Sequence, residues 1–150
     1  MAVVMFGALA GGGVSAGDGS NIYQRCAACH LADGAGVPGA FPPLAGRMDD
    51  MAATEQGRNY LVQVIVHGLM GAIEVEGVTY RGVMPAQSGL DDEAIAEVLN
   101  FLLRLGKDDV SSADFTKDEV ARFREARPDL SSGQVRGLRP DSMTLSEGAP

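Results

Sequence analysis

Cys26-Ala27-Ala28-Cys29-His30 is the stretch of this chain that decides its fold. Two thiols separated by two residues, with a histidine directly after the second, form the CxxCH pattern of covalent c-type haem attachment. Each thiol can add to one vinyl group of a haem, and the adjacent imidazole is placed to bind the iron. We therefore predict one covalently attached haem c, held by Cys26 and Cys29, with His30 as an iron ligand.

Other uses of two closely spaced cysteines are less favoured by the sequence. A zinc ribbon needs a second pair of ligands, whereas this chain has no further cysteine and only one other histidine, His67. A thioredoxin-like redox pair does not need the histidine that follows Cys29. Nothing else in the sequence supports a local disulfide.

Residues 1–16 have the composition of a secretory signal. They carry no charged side chain and end in Val14-Ser15-Ala16, a small-x-small cleavage pattern. This predicts cleavage before Gly17 and a periplasmic mature protein. A signal usually has Lys or Arg before its apolar run, and none stands here, which leaves open a translation start further upstream. A membrane anchor is less favoured, because the run is Gly-rich and shorter than the ~20 apolar residues that span a bilayer, and no later segment is suited to span.

Apolar side chains recur at helical spacing in several parts of the chain. Leu61, Val64 and Ile65 share one helical face, and a longer stripe follows the acidic helix start at Asp91. Thr116 with Glu119 predicts a capping box for a helix at about residues 116–127. We predict further helices over residues 20–29, 58–67 and 91–105, a Gly- and Pro-rich loop over 32–47, a hairpin or extended turn over 73–80, and a loosely ordered end beyond Pro128.

The second iron ligand separates an electron carrier from a gas-binding or catalytic haem. Met84 is the preferred candidate, because Pro85 biases it to an extended backbone and Gly82 lets the chain approach a flat ring closely. The less favoured possibilities are Met70, His67 and an open sixth position, whereas Met143, in the weakly patterned tail, is expected to be a packing or surface methionine.

Other polar and sulfur-containing side chains are not expected to serve the site. Met48 and Met51 concern the iron only if their loop folds back, and Asp49-Asp50 and Asp91-Asp92 are expected to be solvated charges. With both cysteines in thioether bonds and the histidine on iron, no Cys-His or Ser-His-Asp set is available. The sequence therefore predicts a protein that is not itself an enzyme.

Three motifs resemble those of the class I monohaem c-type cytochromes. They are residues 26–30, the segment Phe41-Pro42-Pro43-Leu44-Ala45-Gly46-Arg47, and residues 80–85 followed by the helix opening at 90–95. Within that class, the chain is similar to bacterial cytochrome subunits and domains of sulfite dehydrogenases, quinoprotein alcohol dehydrogenases and haem-fused nitrite reductases. The resemblance implies an all-α, class I cytochrome c fold with helices packed around one haem, covering residues 17–106, and a C-terminal extension over residues 107–150.

The resemblance also implies roles for single residues. Pro42 lends its carbonyl to the axial histidine, Leu44 packs on the haem, and Arg47 is either a propionate ligand or a surface arginine. Tyr80 opens the motif that contains Met84 and counts among the haem-binding residues.

Two positions depart from the family pattern. Leu31 stands where relatives have glycine. Ile22 stands where relatives have an aromatic residue, with Tyr23 one step along. The register of packing against Phe101 is therefore left open.

His30 and Met84 as iron ligands predict a single-electron carrier with a raised reduction potential. The alternative is a haem sensor or peroxidase-like protein with an open or labile sixth position.

Residues 17–106 hold 11 acidic and 5 basic residues of a chain with net charge -8. This charge argues against nucleic acid as a partner and favours a redox protein with a basic docking patch, and it is compatible with a complex with a catalytic subunit. The extension either wraps the haem domain, docks on such a partner, or is disordered.

Overall fold

The computed structural model describes residues 18–140, so the predicted signal peptide over residues 1–16 and Met143 lie outside the described part. Six α-helices and four short strands follow one another along it. Between residues 18 and 140, no helix is long and apolar enough to cross a membrane. The elements are α1 Asp18–His30, α2 Met48–Met51, α3 Glu55–His67, β1 Leu69–Met70, β2 Ile73–Val75, β3 Val78–Tyr80, β4 Val83–Met84, α4 Asp92–Arg104, α5 Lys117–Ala126, α6 Ser132–Val135 and a 3₁₀ turn Arg136–Leu138.

Helices α1 and α4 cross at a point where glycine allows close contact. A Cβ on Gly19 would lie 2.4 Å from the carbonyl oxygen of Glu97, so a larger residue would force the helices apart. One turn along, the rings of Tyr23 and Phe101 pack with their centroids 5.1 Å apart. Tyr23, rather than Ile22, is therefore the aromatic partner of α4, which answers the question of register.

The chain between α3 and α4 forms two small antiparallel sheets. Strand β2 pairs with β3, with Ile73 opposite Tyr80, which confirms the predicted hairpin. Its two-residue turn, Glu76-Gly77, has positive φ at both positions, as a type I′ turn requires. Strand β1 pairs with β4. The fold is thus mostly helical, as predicted, but these strands make it less than all-α.

The extension after Gly106 packs on the preceding helices. Helix α5 lies against α3 and α4, and α6 lies against α3 and β1. Thr116 caps α5 by accepting from the amide of Glu119, but the Glu119 side chain binds Arg58 instead of closing the predicted capping box. The apolar side chains that the extension buries are Phe115, Val120, Phe123 and Val135.

The expected loose end beyond Pro128 is wrong for the residues up to 140. Ser131 and Gln134 form a reciprocal capping box at the start of α6, and Val135 is 0% exposed. A four-residue helix is unstable alone, but burial of its apolar residue against α3 holds it in place. The sequence lacked the long periodic stripe that would have revealed this segment.

Asp49 is also placed differently from the prediction. Its side chain is 0% exposed and accepts hydrogen bonds from the amides of Ser111 and Ser112 at 3.1 and 2.8 Å. The Lys107 ammonium lies 2.9 Å from it. Asp49 is therefore a buried anchor for the start of the extension. Asp91, by contrast, caps α4 by accepting from the amide of Ala94.

Candidate functional site

The end of helix α1 fixes the orientation of an imidazole. His30 is the last residue of α1, is 7% exposed, and its Nδ1 lies 2.8 Å from the carbonyl oxygen of Pro42. Because a carbonyl can only accept, this contact places a proton on Nδ1. Burial lowers the pKa of His30, although the Pro42 hydrogen bond opposes the shift. The ring is therefore neutral at pH 7, and Nε2 keeps a lone pair for a metal ion.

One cavity brings together all the residues that sequence reasoning selected for the site. It contains about 1330 Å³ of empty space, part of it open to solvent, and its lining is largely apolar. Helices α1, α3 and α4, the loop before α2, and the strands all contribute to it. The predicted residues that line it are Cys26, Cys29, His30, Pro42, Leu44, Arg47, Tyr80 and Met84.

The chemistry of these groups suits a covalently attached haem. Cys26 and Cys29 are both free thiols and line the cavity beside the imidazole of His30. Burial raises the pKa of the Cys26 thiol, which keeps it protonated at neutral pH. An apolar cavity with two free thiols and one oriented imidazole therefore fits a large flat apolar ring that carries a metal ion.

The backbone of Met84 is held by contacts with Gly68 and Leu69, which follow the end of α3. It lies in β4 opposite Leu69, and a Cβ on Gly68 would lie 2.5 Å from its carbonyl oxygen. Just beyond it, the amide of Gln87 donates to the carbonyl of Ile65 at 2.8 Å. The strand that carries Met84 is therefore fastened to the end of α3, with the side chain at the cavity.

The other predicted candidates for a second ligand lie away from the cavity. His67 Nε2 lies 3.0 Å from the carbonyl oxygen of Arg127, and His67 is not part of the lining. Met70 is 49% exposed and is not part of it either. Neither side chain is therefore placed to bind an iron in the cavity.

Met48 and Met51 do line the cavity, contrary to their expected placement. Their loop folds back, and the short helix α2 buries both side chains in the core. Their i, i+3 spacing is the signal that could have identified them as one buried helical face.

Arg47 and Tyr80 both line the cavity, but they differ in their partners and burial. The Arg47 guanidinium forms an ion pair with Glu76 in the β2–β3 turn, while Tyr80 is buried in β3. Sequence reasoning missed other lining residues as well, among them Tyr60 on α3 and Arg139 near the end of the described chain. Neither belongs to a recognisable motif, so no local signal marked them.

Leu31 shows why relatives have glycine after the histidine. Its φ is 65°, in the left-handed region that glycine adopts without strain. Its carbonyl accepts a hydrogen bond from the Tyr23 hydroxyl at 2.8 Å. This chain therefore keeps the backbone shape of the pattern with a residue that disfavours it.

Comparison with known proteins identifies the family of this chain. The family model for cytochrome c matches residues 16–106. The chain belongs to the cytochrome c family. It is 44% identical over 127 residues to a cytochrome c-552 of Thermus thermophilus, an alignment that covers 83% of this chain and 84% of the relative. A second Thermus thermophilus cytochrome c-552 is 46% identical over 110 residues, covering 71% of this chain and 84% of that protein.

A more distant relative is a subunit of a larger enzyme. The cytochrome c subunit of the quinone alcohol dehydrogenase of Gluconacetobacter polyoxogenes is 35% identical over 127 residues. That alignment covers 83% of this chain but 26% of the subunit. The cofactor of the cytochrome c family is covalent haem c, and Cys26 and Cys29 are the only cysteines of this chain. The chain is accordingly an electron carrier and not an enzyme.

Proposed function

We propose that this chain is a periplasmic single-electron carrier whose haem iron is bound by His30 and Met84. The observation that carries the proposal is the shared cavity, since all eight residues selected from the sequence line it. In this arrangement Cys26 and Cys29 form the two thioether bonds. Residues 17–106 form the haem domain, and residues 1–16 are the export signal.

Each ligand has a defined supporting contact. Pro42 holds the His30 ring by accepting from Nδ1, which makes the imidazole a better ligand and fixes its tautomer. The β1–β4 pairing holds the backbone of Met84. The haem supplies one-electron chemistry at its iron when bound between these side chains. With both His30 and Met84 as ligands, the iron would have no position left for a substrate.

The apolar lining sets the direction of the reduction potential. Leu44, Val64 and Ile65 are among the side chains that line the cavity and exclude water. A site of low polarity disfavours the additional positive charge of the ferric state, and a thioether ligand acts in the same direction. We therefore expect a potential above that of a cytochrome with two histidine ligands.

The surface charge suggests the kind of partner. Residues 17–106 carry 11 acidic and 5 basic residues, a net charge of -6 that would attract a basic docking patch on a redox protein. The alcohol dehydrogenase relative is named as a subunit of an oxidoreductase, which supports a catalytic partner for this chain too. The association rate with such a partner should fall as salt increases.

Carbon monoxide binding tests the closed coordination sphere. The reduced holoprotein at neutral pH should bind carbon monoxide slowly and weakly, because Met84 must first leave the iron. Rapid, complete binding would instead favour a haem sensor or a peroxidase-like protein with an open sixth position. The Met84→Ala variant is the matched positive control, since its sixth position should be open.

A further inference from the structure

The connection from Met84 to helix α4, residues 85–91, has no regular secondary structure beyond one turn. Most of it is exposed, but Gln87 is half-buried and Leu90 is buried, and both line the cavity. The amide of Leu90 donates to the carbonyl of Gln87 at 3.0 Å, and the side-chain amide of Gln87 donates to the carbonyl of Pro85 at 3.0 Å. Hydrogen bonds therefore lead from Leu90 back to the residue that follows Met84.

Arg124 of helix α5 contacts this connection from the C-terminal extension. Its Nη2 donates to the carbonyl of Leu90 at 3.1 Å, and its Nε lies 2.7 Å from Oδ1 of Asp92, the first residue of α4. The Nε and Oδ1 atoms are both buried, so salt screens this ion pair less than a surface pair. Asp92 is therefore not the solvated charge that its sequence position predicts, because it orients the Arg124 guanidinium.

The contact at Leu90 bears on how easily residues 85–91 open. Exposed connections with few buried contacts open more readily than the helices beside them. One attachment of this connection is at Gln87, whose amide donates to the carbonyl of Ile65 on α3. The second is at Leu90, where the donor is a charged guanidinium and the hydrogen bond is correspondingly strong. An opening of residues 85–91 would carry Met84 away from the iron.

We propose that Arg124 is a positioning residue for the sixth iron ligand. By holding the carbonyl of Leu90, it slows the opening of residues 85–91 and keeps Met84 on the iron. The C-terminal extension thereby helps to close the iron to small molecules, which an electron carrier needs and a sensor does not. The inference rests on the ligation by His30 and Met84 given in the proposed function.

Imidazole binding to the oxidised holoprotein measures this opening. Imidazole binds the iron only after Met84 has left, so its binding rate reaches a limit at high imidazole concentration, and that limit is the rate of Met84 departure. We expect Arg124→Gln to raise the limiting rate about tenfold, the effect of losing one hydrogen bond from a charged donor. Arg124→Lys, which keeps the charge and one donor group, should restore most of the wild-type rate.

Arg122→Gln is the matched control. Arg122 lies on the same helix, is exposed, and pairs with the exposed Glu55 of α3, so its loss should leave the limiting rate unchanged. Urea unfolding of each variant measures its global stability separately. Lower stability of Arg124→Gln without a faster limiting rate would mean a merely structural role and would overturn the proposal, as would an equal rise in Arg122→Gln.

If Arg124→Gln does not retain haem, Asp92→Asn carries the test. This variant removes the charge that orients the guanidinium and should also raise the limiting rate. A wild-type rate in Asp92→Asn would then overturn the proposal.

Failure of the proposed function would look different in the same experiment. With an open sixth position, the binding rate of the wild type would rise linearly with imidazole concentration and reach no limit. That result would overturn the ligation by Met84 and this inference with it. A limiting rate that exists but is unchanged in Arg124→Gln would overturn this inference alone.

Discussion

Arg58 and Glu119 form a bidentate ion pair that joins helix α3 to helix α5, with nitrogen-oxygen distances of 2.6 and 2.7 Å. Both side chains are largely buried, and the Arg58 guanidinium also stacks on the Phe115 ring at 3.8 Å. Another nitrogen of Arg58 donates to the carbonyl of Ala113. One side chain of the haem domain therefore fastens three parts of the extension, which makes the extension part of the fold.

A double-mutant cycle should measure the strength of this junction. Arg58→Gln and Glu119→Gln, singly and together, should give a coupling energy of about 1–3 kcal/mol in urea unfolding, as expected for a charge-assisted bidentate pair with little solvent access. The Arg122–Glu55 pair, exposed on both sides, is the matched control and should give about 0.5 kcal/mol or less. Equal coupling in the two pairs would show that the buried pair has no special role.

Asp49 should make stability depend on acid pH. The Lys107 ammonium, together with the hydrogen bonds from Ser111 and Ser112, outweighs the effect of burial and holds the pKa of Asp49 well below its ordinary value of 3.8. Its stabilising contribution is therefore complete above the unfolded-state pKa and is lost as pH falls below about 4.

Asp49→Asn should lower the free energy of unfolding by about 2–3 kcal/mol at pH 7, because the side chain loses the charge that pairs with Lys107 and one of its two acceptor oxygens is replaced by a donor. The difference from wild type should shrink below pH 4. The matched control is Asp50→Asn, since Asp50 is exposed and also contacts Lys107. A similar loss in both variants, or a loss independent of pH, would contradict the role given to Asp49.

Leu31 is expected to strain the turn after the haem motif. Its positive φ costs a non-glycine residue about 1–2 kcal/mol, part of which glycine loses again through its freer unfolded chain. Leu31→Gly should therefore raise the free energy of unfolding by about 0.5–1 kcal/mol. Leu31→Ala, which removes the same exposed side chain but keeps the strain, should bring no gain. Equal stability changes in the two variants would place the effect in the side chain instead of the backbone.

The haem motif could be found from sequence because its chemistry is local. Cys26, Cys29 and His30 are close in the chain, and the motif around Met84 has its own proline and glycine markers. Helices α3 and α4 were found from apolar spacing and α1 was placed at the haem motif, with ends that differ from the structure by at most three residues. The short strands were found only where Glu76-Gly77 marks a turn.

Features that depend on distant parts of the chain could not be found in this way. Asp49 looked like a solvated loop charge because its partners are about 60 residues away. Met48 and Met51 gained their place at the cavity only when the loop folded back. Arg139 lies in a segment with turn-like composition, and its position at the cavity follows from the packing of α5 and α6 on α3.

The central assignment is tested most directly by the visible and near-infrared spectra of wild type and Met84→Ala, oxidised and reduced. Met48→Leu and Met51→Leu are the matched controls, because these thioethers also line the cavity. Wild type and both controls should be low-spin, with a sulfur-to-iron charge-transfer band that disappears in Met84→Ala along with a marked fall in reduction potential. A band that survives in Met84→Ala, or a high-spin wild type, would contradict the ligation by His30 and Met84.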